Sequence, residues 1–291
     1  MRPPAALLER LNTTRLLPSA AQPSVGIGER RSQRKGPGME FVDHRPYQPG
    51  DDTRHLDLHL YARTGDFMMR EYSLNQQLPV TIVLDLSPSM TIGRGEKSDR
   101  SRQLAQLLGF TALVGGDRVQ VIVPEGDQLL VSDRWHGATR AEPMFDWISR
   151  ASASETLEFP KTLSRLPEHL PPRGMVIVIS DWWDAGLEPA LDSLAAHGQE
   201  LLGIQVLSPV EIDPAAMTSG TVTLEDAETG DEIELPVDAA LLNRYRQLFA
   251  ARQAHIEAQF NRRQWHFITV ATEDDLTGLF THTLRARGIL S

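Results

Sequence analysis

Val80-Thr81-Ile82-Val83-Leu84 runs directly into Asp85-Leu86-Ser87-Pro88-Ser89. An unbroken stretch of apolar and β-branched residues predicts a strand buried on both faces. At its end a carboxylate and two hydroxyls arrive together. Met175-Val176-Ile177-Val178-Ile179 repeats the arrangement and closes on Ser180-Asp181. Carboxylate and hydroxyl oxygens form a set that suits Mg²⁺ or Mn²⁺ rather than zinc.

Working outward, short apolar runs alternate with longer amphipathic stretches, which predicts a mostly parallel sheet covered by helices on both faces. The predicted strands are Val80–Leu86, Arg118–Pro124, Gln128–Ser132, Gly174–Ser180, Glu200–Leu207 and Trp265–Val270. Only Glu125-Gly126-Asp127 separates the second from the third, so these two form a hairpin and leave an antiparallel edge strand on a six-stranded sheet. The predicted helices are Ser98–Val114, Ala141–Ser152, Thr162–His169, Glu188–His197, Ala239–Phe260 and Glu273–Arg287. Between Ser208 and Val237 the pattern breaks, and Thr221–Leu224 and Glu232–Leu235 flank Thr229-Gly230-Asp231 as an inserted β-hairpin. Residues 1–78 read as an N-terminal extension and residues 79–291 as the α/β domain. In an open α/β sheet, ligands bind beyond the carboxyl ends of the strands where the strand order reverses. An order of 3-2-1-4-5-6 places the first and fourth strands side by side, and Asp85 and Asp181 then converge.

Composition narrows the functional classes. With 41% hydrophobic residues over 291 positions the chain can bury a sizeable core. The net charge of -10 opposes adsorption to nucleic acid or anionic lipid. Seven basic residues (Arg2, Arg10, Arg15, Arg30, Arg31, Arg34, Lys35) face only Glu9 and Glu29 in the first 35 positions. Such an arm could contact nucleic acid, but a solvated arm, or one folded back on the acidic body, is the expected state. The absence of cysteine excludes disulfides and thiolate zinc sites. The longest early apolar cluster, Ala5-Ala6-Leu7-Leu8, is too short for a signal core, and no run approaches a membrane span. The expected location is cytoplasmic.

The Asp85, Ser87, Ser89 triplet with Asp181 at a second strand end resembles the metal-ion-dependent adhesion site of von Willebrand factor A-like domains. The resemblance implies that fold and a threonine ligand from a nearby loop. Thr156, in Ser154-Glu155-Thr156-Leu157, matches by position, although Ala153-Ser154-Glu155 stands where family members often carry glycines. The resemblance goes further. Gly38-Met39-Glu40-Phe41, the run Arg45-Pro46-Tyr47-Gln48-Pro49-Gly50-Asp51-Asp52, and Arg54, Asp57 and Ala62-Arg63 are similar to the segment preceding the A-like domain in the uncharacterised bacterial family numbered fifty-eight. Glu228-Thr229-Gly230 and the helix holding Tyr245 extend the likeness over nearly the whole chain, while Leu58 stands where a tryptophan is usual. Many relatives carry membrane helices ahead of this segment. The family is associated with MoxR-type AAA+ ATPases, so the resemblance implies such an ATPase as partner.

Other constellations carry less. His55-Leu56-Asp57-Leu58-His59 would put two imidazoles and a carboxylate on one face of a strand, as a transition-metal site needs. A structural ion-pair network with Arg45, Asp51, Asp52 and Arg54 is the preferred reading. Aspartyl phosphotransferases use an acid two residues after the nucleophile, where this chain has Ser87. No Gly-x-Ser-x-Gly elbow and no phosphate-binding Gly-x-x-x-x-Gly-Lys loop occurs. Trp182 and Trp183 form either an exposed anchor beside the site or a packed support.

The expectation is a non-enzymatic adaptor whose Mg²⁺ (or Mn²⁺), held by Asp85, Ser87, Ser89, Thr156 and Asp181, is completed by an Asp or Glu of a client protein. It would work with a MoxR-type ATPase in chaperone-like remodelling or maturation. The alternative is a metal-dependent hydrolase or phosphatase using Asp85 and Asp181.

Overall fold

The computed structural model describes residues 2–18, 39–74, 77–91, 96–126, 128–152, 159–214, 220–225 and 232–291. It divides into two units, residues 20–77 and a larger body formed by residues 1–19 and 78–291. The 1–78 extension is therefore split. Its first helix, α1 (Ala5–Leu11), belongs to the body, where Leu7 and Leu11 are buried in the main core together with Leu16. Of the early cluster Ala5-Ala6-Leu7-Leu8, Leu7 faces the core together with Leu11, while Ala5 and Ala6 are exposed.

In the smaller unit, β1 (Met39–Pro46) pairs antiparallel with β2 (Met68–Leu74), and α2 (Leu58–Thr64) lies between them in sequence. The strand that the alternative metal reading of His55–His59 needs does not form. Thr53–His55 is a 3₁₀ turn and Asp57 is the N-cap of α2, accepting hydrogen bonds from the backbone N–H groups of His59 (2.9 Å) and Leu60 (3.0 Å). A carboxylate that caps a helix this way ends the extended backbone that would align the histidines. Asp57 also accepts two bonds from Arg70, at 2.8 and 3.0 Å, and lies 2.8 Å from His44 Nε2. Arg45 clasps Asp51 through two bonds of 2.6 Å, and Arg54 pairs with Asp52. The charged block serves the fold as separate ion pairs, with Arg70 and His44 as members that the sequence does not reveal.

The body is built on β3 (Pro79–Leu84), α3 (Pro88–Thr91), α4 (Glu96–Val114), β4 (Arg118–Glu125), β5 (Gln128–Val131), β6 (Trp135–His136), α5 (Ala141–Arg150), α6 (Phe159–Arg165), β7 (Gly174–Ser180), α7 (Glu188–Ala196) and β8 (Gln199–Leu207). There follow α8 (Pro209–Ile212), β9 (Gly220–Glu225), β10 (Glu232–Val237), α9 (Ala239–Arg262) and β11 (His266–Ala271), and a last helical stretch over residues 276–286. The sheet order is β11-β8-β7-β3-β4-β5, parallel except for β5. This is the expected 3-2-1-4-5-6 order. The expected strand count is corrected from six to seven, because β6 pairs antiparallel with the start of β4, through Val119 and Trp135. Two residues are too few to leave a periodicity in sequence. β9 and β10 pair as the expected hairpin, whose turn residues, Glu228-Thr229-Gly230 among them, lie outside the described residues.

Strand alternation sorts the side chains into two cores. Val80, Ile82 and Leu84 of β3 and Met175, Ile177 and Ile179 of β7 join one cluster with α1, α4 and α5. Val83, Val176 and Val178 join the other, with α6, α7 and the end of α9. Both faces are covered, which is why these strands read as unbroken apolar runs. At the N-terminus Arg2 pairs with Glu142 (2.9 Å) and Asp146 (3.2 Å) of α5, so this part of the basic arm folds back on acidic surface, whereas Arg30, Arg31, Arg34 and Lys35 lie outside the described residues. Among the described residues, no helix is long and apolar enough to cross a membrane.

Candidate metal centre

β3 and β7 are parallel neighbours in register, Leu84 opposite Ile179, and the pairing continues one step further where the Asp85 N–H donates to the Ile179 carbonyl (3.0 Å). Both strands therefore end at the same level, with β4 on one side of β3 and β7 on the other. This is the reversal point at which an open α/β sheet binds ligands. Asp85 and Asp181 are 2% and 3% exposed. They are the most buried aspartates among the described residues, and a buried carboxylate needs a compensating partner.

Asp85 has few partners. Its Oδ1 accepts from the backbone N–H of Ser87 (2.9 Å) and its Oδ2 from the Ser180 hydroxyl (2.6 Å). The Ser87 and Ser89 hydroxyls are 3.0 Å apart, which joins the triplet into one oxygen-lined turn before α3. Among the described residues no cation is paired with Asp85. Burial and then the neighbouring charge of Asp181 push its carboxyl up to about 6, against the pull of its hydrogen bonds to Ser180 and Ser87.

Asp181 is held differently. Its Oδ2 accepts from Lys97 Nζ (3.2 Å), and the same ammonium donates to Glu211 Oε1 (2.7 Å). Lys97 lies in the first turn of α4 and is 6% exposed, while Glu211 belongs to α8 directly after β8. Burial works to raise the Glu211 carboxyl, but the Lys97 ammonium and the donors of Ser208 outweigh it and hold it below its usual range. Ser208 and Glu211 form a reciprocal capping box, so the acid is fixed by its own helix. Neither Lys97 nor Glu211 stands out in sequence. Lys97 follows Glu96 and precedes Asp99, like any charged helix start, and Glu211 is one acid in an acidic region.

The scaffold resolves the two tryptophans. Trp182 is fully buried in a left-handed backbone conformation (φ +59°), and its indole packs edge-on against Phe159, Phe260 and Phe267 while Nε1 donates to the Ile204 carbonyl (3.1 Å). The left-handed residue turns the chain so that Asp181 stays at the strand end while the next side chain returns under the sheet. Gln205 secures the same turn by donating to the Asp181 carbonyl (2.9 Å). Trp183 is 37% exposed and leans on Phe249, which stacks on Tyr245. One tryptophan is a support and the other a surface residue.

The structure thus brings Asp85, Ser87, Ser89 and Asp181 to one end of two adjacent strands. Thr156 lies outside the described residues. Among the described residues no three His, Asp or Glu side chains group as a ready-made metal site, so a cation here would draw on hydroxyl and water oxygens beside the carboxylates. The charges favour one. Asp181 and Glu211 share the Lys97 ammonium and Asp85 adds a further carboxylate beside Asp181, so among the described residues these four groups, all ionised, carry two negative charges in excess. A divalent cation has the charge to balance them, and the all-oxygen donor set fits Mg²⁺ or Mn²⁺.

The family described as "Protein of unknown function DUF58" matches residues 43–255. An uncharacterised protein of Mycobacterium bovis, Mb1516, is 29% identical over 231 residues, covering 76% of this chain and 71% of that protein. Rv1480 of Mycobacterium tuberculosis, likewise uncharacterised, matches to the same extent, 29% over 231 residues and the same 76% and 71% coverage. Among solved structures, the conserved hypothetical protein BatB of Bacteroides thetaiotaomicron is similar at 14% identity with a TM-score of 0.41, covering 72% of this chain and 98% of that one.

Proposed function

We propose that this chain, which belongs to the DUF58 family, is a non-enzymatic, metal-dependent adaptor that docks an acidic side chain of a client protein at the end of β3 and β7. One observation carries the reading. Asp85 is a buried carboxylate at the switch point of the sheet, flanked by hydroxyl oxygens and paired with no cation among the described residues. Carboxylates buried without countercharge are costly, and proteins keep them where a ligand completes them.

In this reading Asp85, Ser87 and Ser89 hold Mg²⁺ or Mn²⁺, with Asp181 as the second acid and Thr156 as the expected further ligand. The bound ion would supply a positive charge and an oxygen-seeking coordination position to the client. Trp183, exposed two residues from Asp181, offers an aromatic contact beside that position. The family resemblance supplies the rest. It points to a cytoplasmic MoxR-type AAA+ ATPase as the energy source, and to remodelling or maturation of a client as the outcome.

The test is co-purification with the ATPase and its client in Mg²⁺ and in EDTA, using the wild type and Asp85→Ala. Capture of the client that is lost in EDTA and in the variant is expected. Equal capture under all conditions refutes a metal bridge.

A further inference from the structure

Lys97 is the feature of the site that the adaptor reading does not use. Its ammonium is buried, lies 3.2 Å from Asp181 Oδ2 and donates a shorter bond, 2.7 Å, to Glu211 Oε1. The other oxygen of Asp181 takes the Trp183 N–H at 3.4 Å, so both carboxylate oxygens have donors. An ammonium and a divalent cation compete for a shared carboxylate, since each supplies positive charge to the same oxygens. A lysine that left Asp181 would need a second acid, or it would be stranded as an unpaired buried charge. Glu211 is that acid. It is fixed in place by its capping box with Ser208, and it already holds the ammonium.

We infer that Lys97 is a tethered cation that competes with the divalent ion for Asp181, and that Glu211 is the acceptor which retains the ammonium when the ion displaces it. The pair sets how tightly the site takes its metal. The inference rests on the divalent-cation reading of Asp85 and Asp181.

The probe is Mn²⁺ itself, with free ion followed by electron paramagnetic resonance during titration of the full chain. The proteins are the wild type, Lys97→Met, Glu211→Gln and the double variant, each checked for folding by circular dichroism in EDTA. Lys97→Gln, which keeps a hydrogen-bond donor, stands in if the methionine variant does not fold. Lys97→Met is expected to bind Mn²⁺ about tenfold more tightly, the size of losing one partly screened like charge at a few ångströms. Glu211→Gln is expected to bind several-fold more weakly while Lys97 is present. In the Lys97→Met background, the same Glu211 substitution is expected to change affinity by less than about threefold, a coupling between the two sites that independent charges would not give. Wild-type binding with Lys97→Met no tighter overturns the inference and leaves the metal reading standing. An equal loss from Glu211→Gln in both backgrounds overturns the role of Glu211 as acceptor. No binding by folded wild type or Lys97→Met overturns both the inference and the metal reading.

Discussion

Asp51 and Asp57 of the smaller unit and Asp85 of the body are treated in opposite ways. In residues 39–74, Asp57 is held far below the usual carboxylate range by Arg70, with His44 and the N–H of Leu60 adding to it, and Asp51 is held down to about 2 by Arg45 and the Gln48 N–H. In the body, Asp85 is pushed up to about 6 by burial and by Asp181. The first set stabilises local structure and leaves nothing for a ligand. The second sits at the end of a core strand with only a backbone N–H and a hydroxyl as hydrogen-bond partners among the described residues, and its ionised form waits for positive charge. Acids that serve a fold are neutralised within it, whereas an acid left short of countercharge at a sheet's switch point marks a place for something else.

The comparison breaks most readily at its scaffold. Replacing Trp182 by alanine removes the fully buried indole against which Phe159, Phe260 and Phe267 pack. A loss of about 3–5 kcal/mol in denaturant unfolding is expected, as for other large aromatic truncations. All five tryptophans (135, 147, 182, 183 and 265) lie in the body, so fluorescence follows that unit. The same substitution at exposed Trp183 should cost no more than about 1 kcal/mol and instead weaken capture of the client.

Next in size is the charge at Asp85. Its folded carboxyl binds a proton more tightly than an unfolded one does, from 3.8 to about 6. That proton-linked stability is fully present below about pH 4 and is lost as pH rises through about 6, for a total of roughly 3 kcal/mol. Asp85→Asn should therefore be more stable than the metal-free wild type at pH 8 in EDTA, with the difference shrinking to nothing towards pH 4. Chemical denaturation across that range checks it, and a wild type that is the more stable at pH 8 contradicts it. Adding Mg²⁺ should stabilise the wild type alone, by about 2.7 kcal/mol at 100 times the dissociation constant, which nearly closes the gap, and by about 4.1 kcal/mol at 1,000 times, which reverses the order.

The smallest effect sharpens the contrast by its sign. Asp57→Asn gives up the charge that binds Arg70 and His44, and it should destabilise its unit at neutral pH where Asp85→Asn stabilises the body. With its depressed carboxyl, Asp57 contributes stability that is present above the normal aspartate range and is lost in strong acid. Faster amide exchange in β1 and β2 of the variant is the readout.

Much of the body was legible in sequence because its strands are buried on both faces and read as apolar runs such as Val80–Leu84 and Met175–Ile179. The switch-point rule then brought Asp85 and Asp181 together before any coordinates. What stayed hidden depends on tertiary partners. Lys97 looks like a solvated helix charge until Asp181 and Glu211 are seen around it. Asp57 reads in sequence as part of an ion-pair network, but its partners Arg70 and His44 and its role as the cap of α2 come only from the fold. The left-handed turn at Trp182, which decides which tryptophan is buried, follows from packing and not from a turn-forming residue. β6 is two residues long and carries no period at all.

The central claim is that the strand-end carboxylates bind a divalent cation through Asp85, and calorimetric titration of Mg²⁺ into the wild type and Asp85→Asn tests it most directly. The account predicts one saturable site in the wild type and none in a variant that is folded and, without metal, the more stable of the two. Equal binding by both proteins, or none by the folded wild type, would contradict it.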